Sequence, residues 1–315
     1  MKLISIVTPC FNEEENVDVL AERIRAVFEA MPQYAYEHIF IDNASTDRTV
    51  EKVKVLAAKD DRIKLIVNAR NFGHIRSPAH GLLQARGDAV VCMASDLQDP
   101  PEVIKEFLIK WEEGFKVVAA IKTSSKESLT MWLVRLSYYK FIGRISEVRL
   151  IGNFTGFGLY DRVVLEEVRK TDDRYPYFRG LIPDLGFEVA KIPYTQPSRY
   201  RGITKNNFFT LYDLAMLGIT SHSKAPIRLA TMVGFALAIM SLGVSIMYLI
   251  LKLVRWDEFE LGLGPLLSGM FFFMSIQLFF LGVIGEYVGA IHTQVLKRPL
   301  VVEKERINFD VPARP

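Results

Sequence analysis

The chain has 315 residues, enough for one large domain or two small ones, and half of them are hydrophobic. A formal net charge of +3 is too small to suggest a nucleic-acid binder, so the position of the charges matters more than their sum. Cys10 and Cys92 each sit in or beside a short apolar run, at a spacing that fits neither a zinc site nor a disulfide framework, which points to a reducing compartment.

Lys2 is followed by only a short apolar run before polar Asn12 to Glu15, so the start of the chain does not read as a signal peptide. Leu3 to Thr8 reads as a strand, Val17 to Met31 as an amphipathic helix, His38 to Asp42 as a strand and Arg48 to Lys59 as a helix. Ile63 to Asn68 follows as a strand, Ser77 to Ala85 as a helix and Ala89 to Ala94 as a strand. The alternation predicts an α/β fold, a mostly parallel sheet with helices on both faces. Strands that are apolar throughout suit such a doubly covered sheet.

Further along, Leu129 to Ile145 and Asn206 to Thr220 interleave aromatic and apolar residues; the first also carries Arg135, Lys140 and Arg144. Each suits an interfacial helix lying in the headgroup plane or an ordinary core-facing helix, and the membrane surface is favoured for the second. Leu229 to Val254 and Leu261 to Ile284 are long enough to span a bilayer, which takes about 20 apolar residues. The short connection Arg255 to Glu260 makes them a hairpin. Lys224, Arg228, Lys297, Arg298, Lys304 and Arg306 flank it, against Lys252 and Arg255 on the loop side, which puts both flanks in the cytoplasm. Gly285 and Gly289 are spaced for close helix approach, one route to a homo-oligomer, while neighbouring Glu286 fits the headgroup level equally well.

Polar residues gather at the strand ends, where open α/β sheets bind ligands. They run Thr8 to Asn16, Asp42 to Thr49, Asn68 to Gly73 and Ser95 to Glu102. Singly, each suits a turn or a helix cap: Asn12, Ser45 and Thr46 are good N-cap residues and Pro100-Pro101 suits a helix start. Four such loops at successive strand ends point to one site.

Val7-Thr8-Pro9-Cys10-Phe11-Asn12-Glu13-Glu14, Asp42-Asn43-Ala44-Ser45-Thr46-Asp47 and Asp96-Leu97-Gln98-Asp99-Pro100-Pro101-Glu102 resemble three blocks of glycosyltransferase family 2. The resemblance covers residues 3 to 205 and implies a nucleotide-diphosphosugar transferase fold of type A. With two C-terminal spans, the chain is similar to the subgroup that glycosylates polyprenyl phosphates, the bactoprenol glucosyltransferases and their dolichol-phosphate mannosyltransferase relatives. The implied layout is a cytoplasmic catalytic domain (1–205), an interfacial helix and linker (206–228), two spans (229–292) and a cytoplasmic tail (293–315) in a bacterial cell membrane.

By that resemblance Pro9, Phe11, Asn12, Glu13, Asp42, Asp47, Arg70 and Asp96 hold the nucleotide-sugar, and Asp96 and Gln98 meet a Mg²⁺ or Mn²⁺ ion, a choice that oxygen ligands suit. The chain departs from the family's D-x-D pattern: Ala94-Ser95-Asp96 lacks one carboxylate, so Asp96 carries more of the metal binding and Asp99 is placed to assist. Arg199, Arg201 and Lys205 resemble the "RxxGxSK" segment of the lipid-linked subgroup; they suit a phosphate, and equally a patch that meets anionic headgroups. Arg201 and Lys205 are read with Asp96 as the catalytic set.

A phosphate monoester has a second pKa of about 6, so the acceptor is largely ionised at neutral pH and needs no base to become a nucleophile. Asp161 and Asp184 remain candidates for a base or for a structural role. The expectation is an inverting hexosyltransferase that takes its sugar, read as glucose, from UDP-glucose to undecaprenyl phosphate. The rivals are another sugar such as mannose, a polysaccharide synthase, whose extra spans and Q-x-x-R-W segment are not found here, and a silent nucleotide-sugar-binding membrane scaffold.

Overall fold

The computed structural model describes residues 1–123, 151–197, 216–220, 223–254 and 263–309. Both expected interfacial helices, apart from residues 216–220, and Arg199, Arg201 and Lys205 lie outside them.

The described elements run β1 (Lys2–Cys10), α1 (Val17–Glu29), β2 (Tyr34–Asp42), α2 (Thr49–Lys59), β3 (Ile63–Asn68), α3 (Gly73–Gln84) and β4 (Ala89–Cys92). There follow α4 (Ile104–Glu112), β5 (Val117–Lys122), β6 (Phe154–Asp161), α5 (Arg162–Lys170), α6 (Phe178–Asp184) and β7 (Val189–Tyr194). Two long helices, α7 (Ala225–Val254) and α8 (Leu263–Val295), precede β8 (Glu303–Ile307).

One sheet of order β7-β5-β6-β4-β1-β2-β3-β8 holds all eight strands. β1 pairs in parallel with β2 and β4, β2 with β3, and β5 with β7. β6 runs antiparallel between β4 and β5. The loops after β1, β2, β3, β4 and β5 therefore share one edge with the start of β6. Alternate side chains face opposite layers, as the two-residue period of a strand requires. Ile4, Ile6, Phe40 and Leu65 pack with α1, α2 and α4. Val7, Ile39, Ile41 and Ile66 pack toward α3, α5 and α6.

The elements up to β4 match the sequence expectation in type and order, with early starts at β2 and α3. α3 begins at Gly73, four residues before Ser77, because the Asn43 and Asn71 side chains accept the N–H groups of Phe72 and Gly73 and so organise its first turn.

The stretch after α8 is not a free tail. β8 pairs antiparallel with β3, through Leu65 and Ile307, Ile66 and Arg306, and Val67 and Glu305. The chain reaches it along α3: the Arg76 guanidinium donates to Pro299 O, His80 Nε2 meets Glu303 Oε1 at 2.5 Å, and Arg306 Nη2 donates to Gln84 Oε1 at 2.8 Å. Residues 76, 80 and 84 are four apart, one face of a helix. Lys54 and Glu305, at 2.6 Å, and Asn308, which donates to Ala57 O at 2.7 Å, fasten the strap to α2.

α7 and α8 have 30 and 33 residues, about 45 and 50 Å of helix. Their apolar side chains face outward all round, with Phe235 69%, Phe271 64% and Phe279 67% exposed. α8 continues eleven residues past the expected end at Ile284, since 295 minus 284 is 11. The reason is docking: Gln294 donates to Asp173 Oδ1 at 2.5 Å and accepts the Arg174 N–H at 3.0 Å. Tyr287 OH likewise donates to Ser223 O at 2.6 Å, tying α8 to the entry of α7. Gly285 and Gly289 have nothing among the described residues within 4 Å of an added Cβ, so this helix pair does not use them for packing.

Candidate active site

The β1 and β2 loops are bolted together by their own side chains. Parallel pairing sets Cys10 beside Asp42. Beyond it, Asn12 N–H donates to Ser45 Oγ at 2.9 Å and Asn12 Oδ1 accepts Thr46 N–H at 2.8 Å. Glu13 N–H donates to Thr49 Oγ1 at 2.8 Å, and Glu14 N–H to Asp47 Oδ2 at 3.2 Å. Asn12 and Ala44 hold φ of 56° and 64°, in the left-handed region that side chains other than glycine seldom adopt. Leu97 repeats the feature after β4, with φ of 60°. Such strain collects at functional loops whose surroundings over-determine them.

Asp42 is fully buried and accepts from Ser45 N–H at 2.9 Å and from Ser45 Oγ. Burial raises its pKa, against the Ser45 hydrogen bonds. Asp47 moves the other way: its burial is outweighed by bonds from the Thr49 hydroxyl and N–H, so it stays ionised below the usual range. Asn12, Glu13, Asp42 and Asp47 are thus brought together, and the side chains of Asn12, Asp42 and Asp47 are spent on holding the two loops together.

After β4, Ser95 Oγ donates to Pro9 O at 3.0 Å, which draws this loop against the first. Asp96 Oδ1 accepts Gln98 N–H at 3.2 Å. Asp96, Gln98 and Pro9 face a cavity of about 300 Å³. Its far walls are α3, through His74, Ile75, Pro78 and Leu82, and the segment Pro176 to Arg179 entering α6. Asp99 is fully engaged: Oδ2 accepts Ala94 N–H at 2.9 Å and Oδ1 accepts the Tyr194 hydroxyl at 3.2 Å. Burial first, and Asp96 beside it, push Asp99 up to about 6, against the bonds from Ala94 and Tyr194 that tie it to the loop.

Among the described residues no group of three acidic, histidine or cysteine side chains stands ready for a metal. Asp96 and Gln98 offer one carboxylate and one amide oxygen. That is a sufficient protein share for Mg²⁺, which is commonly held by one or two carboxylates and completed by substrate phosphates and water.

Two candidate bases are corrected. Asp161 pairs opposite Ala89 at the N-terminal end of β4, the other edge of the sheet from Asp96. There it accepts Trp111 Nε1–H at 2.7 Å, Val163 N–H at 3.0 Å and Lys116 Nζ at 3.0 Å. It caps α5 and anchors α4. Asp184 is exposed at the end of α6, outside the cavity lining. Arg70 also sits away from the lining: its guanidinium lies 4.0 Å over the Phe72 ring and donates to Asn71 O.

The sequence reading assigned no role to the amide network behind the cavity. Asn43 Nδ2 donates to Asn71 Oδ1 at 2.9 Å and Gly73 O at 3.1 Å, and Asn68 Nδ2 donates to Ser77 Oγ at 2.9 Å. Together these bonds fix the β3–α3 turn. The available signal was buried asparagine at the end of an otherwise apolar strand. Arg179 was likewise given no role of its own.

A mostly parallel sheet whose strand-end loops converge on Asp96 beside a cavity has the ligand-binding layout of an open α/β fold. Residues 5–169 match glycosyl transferase family 2, and the chain belongs to that family. It is 33% identical over 308 residues to the bactoprenol glucosyl transferase of Shigella phage SfII, covering 96% of this chain and 97% of that protein. It is also 33% identical over 298 residues to the uncharacterized glycosyltransferase sll0501 of Synechocystis, covering 94% and 93%. Among solved structures, the mannosyltransferase PcManGT of Pyrobaculum calidifontis, in complex with GDP-Man and Mn²⁺, aligns with a TM-score of 0.46 at 15% identity, over 93% of this chain and 86% of that one.

Proposed function

We propose that this chain transfers a hexose, read as glucose, from UDP-glucose to undecaprenyl phosphate or another polyprenyl phosphate, with inversion, at the cytoplasmic face of a bacterial membrane. The observation that carries the reading is the joining of the cleft to the apolar helix pair. Gln294 of α8 holds Asp173 and Arg174, and the chain runs from there directly into the cavity wall at Pro176 to Arg179. Near-full-length similarity to the phage bactoprenol glucosyl transferase supports the acceptor.

In this reaction a phosphate oxygen of the acceptor attacks the anomeric carbon, the bond from that carbon to the diphosphate breaks, and the nucleoside diphosphate leaves. The acceptor arrives largely ionised, so no residue need remove a proton. That agrees with Asp161 at the opposite edge of the sheet and Asp184 outside the cavity. The β1 and β2 loops, braced at Asn12, Asp42 and Asp47, hold the nucleotide, which places the sugar against Asp96. Asp96 and Gln98 would hold a divalent ion, which supplies positive charge to the departing diphosphate.

β8 in the catalytic sheet returns the chain after α8 to the side occupied by residues 1–197, as a membrane hairpin requires. The basic flanks orient that side toward the cytoplasm. A cysteine probe at residue 259 is therefore labelled from outside sealed cells and one at exposed Lys304 is not; the opposite pattern overturns the orientation.

Incubation of the full chain with labelled UDP-glucose and undecaprenyl phosphate in vesicles tests the activity. A single lipid-linked hexose is expected. Donor binding without turnover would favour the silent scaffold, and turnover only with another nucleotide-sugar would correct the donor.

A further inference from the structure

Arg179 lies on α6 one residue after Phe178 and faces the same cavity as Asp96. It is the only arginine or lysine among the described residues that line it, and two carboxylates, Asp96 and Asp99, share the lining. Its Nε donates to Thr155 O at 3.3 Å, at the start of β6, so the guanidinium is aimed along the strand-end edge of the sheet. Its charge is felt across the cavity. Partial desolvation and then Arg179 hold His74 below its ordinary pKa, and Arg179 opposes the upward push that burial gives Tyr160.

The two sides of the cleft differ in kind. Beyond Pro9, which lines the cavity, lie the polar β1 and β2 loops, with Asn12, Ser45 and Asp47, on the side read as the nucleotide's. Around Arg179 it is apolar, walled by Ile75, Pro78 and Leu82 of α3 and by Tyr177 and Phe178. A cation in an apolar wall fits an amphiphile: a phosphate joined directly to hydrocarbon. The nucleoside diphosphate lacks that hydrocarbon. Charge gives a second reason. Donor diphosphate and acceptor phosphate are both anions, and the second must approach the first. Ala94, in place of the family's first carboxylate, already removes one negative charge from this site, and Arg179 adds a positive one on the acceptor side.

We propose that Arg179 is a cation that receives the phosphate of the acceptor lipid and holds it within reach of the sugar; this rests on the acceptor being a polyprenyl phosphate. A guanidinium offers two parallel donors to a phosphate, which an ammonium cannot match.

The experiment compares the full-length wild type with R179A, R179Q and R179K in lipid nanodiscs. It reads kcat/KM for undecaprenyl phosphate, UDP affinity by calorimetry, and release of free glucose from UDP-glucose by water. Expected is a loss of about 10- to 100-fold in kcat/KM for the lipid in R179A and R179Q, the range of a lost hydrogen bond to a charged group. R179K loses less, and UDP affinity and hydrolysis stay within about twofold. A parallel fall in UDP affinity would assign Arg179 to the donor and overturn the proposal, as would unchanged lipid kinetics. If R179A does not fold, judged by its melt, R179Q against R179K carries the comparison. Wild-type protein that binds UDP yet forms no lipid-linked sugar would instead refute the proposed acceptor.

Discussion

Glu303 is the point where the strap after α8 can be loosened without touching the cleft. Burial alone would raise its pKa, but the hydrogen bonds from His80 and Arg306, with their charges, outweigh this and bring it down to about 2. The fall from 4.5 corresponds to about 3 kcal/mol at neutral pH. Its carboxylate is partly open to water, so roughly half of that, about 1.5 kcal/mol, is the expected net hold. A depressed acid stabilises above its unfolded value and loses that contribution as the pH falls through its folded value. The hold is thus complete above about pH 5 and fades between 4.5 and 2. Hydrogen–deuterium exchange of residues 303–307 in wild type and Glu303→Gln reads it directly. Near neutral pH the variant should exchange about tenfold faster over β8, while α1 and β1 remain unchanged. The two proteins should converge as the pH approaches 2. Equal exchange of β8 at neutral pH would show that the His80–Glu303–Arg306 cluster does not hold the strand, and would refute the reasoning.

Asp96→Asn should abolish transfer with the melting temperature unchanged within a few degrees; full activity in that variant, or in excess chelator, would remove the metal from the site. Gly81→Ala should cost about 1–3 kcal/mol, since its Cβ would lie 2.9 Å from Val7 Cγ1 and 3.0 Å from Ile41 Cγ2 and α3 must lift off the sheet. Because α3 is a cavity wall, acceptor KM should shift as well, and an unchanged melt would show that the wall yields freely. Arg201→Ala and Lys205→Ala should lower lipid glycosylation more than hydrolysis of the nucleotide-sugar by water; an equal fall in both assigns these cations to the donor, and no fall makes them a surface patch.

The first half of the fold was legible because its strands are covered on both faces and its helices carry a single apolar stripe. β3 is found at the expected residues, Ile63 to Asn68, and β2 begins four residues early, at Tyr34. β8 was not legible. Glu303 to Ile307 reads as a charged stretch, Glu-Lys-Glu-Arg-Ile, with one apolar residue; its strand conformation comes from the waiting edge of β3 and from partners on α3 and α2 more than 200 residues earlier. The site divides the same way. Asp96 and the β1 and β2 loops stand out as polar residues at strand ends. Arg179 hides in a short helix whose place beside the cavity is set by β6 returning antiparallel, and that reversal leaves no local pattern. Asp161 misled for the same reason: a carboxylate at a strand end suggests catalysis only when the strand's direction is known.

The membrane hairpin is also an interruption. In order of synthesis β3 emerges early, and its outer partner follows only after both long helices have been made. Until then the edge of β3 presents unpaired backbone groups, a template for wrong pairing. On the membrane reading, β8 can reach that edge only when both helices have crossed and the chain has come back to its starting side. A protein whose second helix failed to insert would keep the β3 edge unpaired, and with it a feature by which misassembled copies can be distinguished from finished ones. The same order limits what can be cut away: residues 1–197 expressed alone would lack the strand that covers the β3 edge of their own sheet.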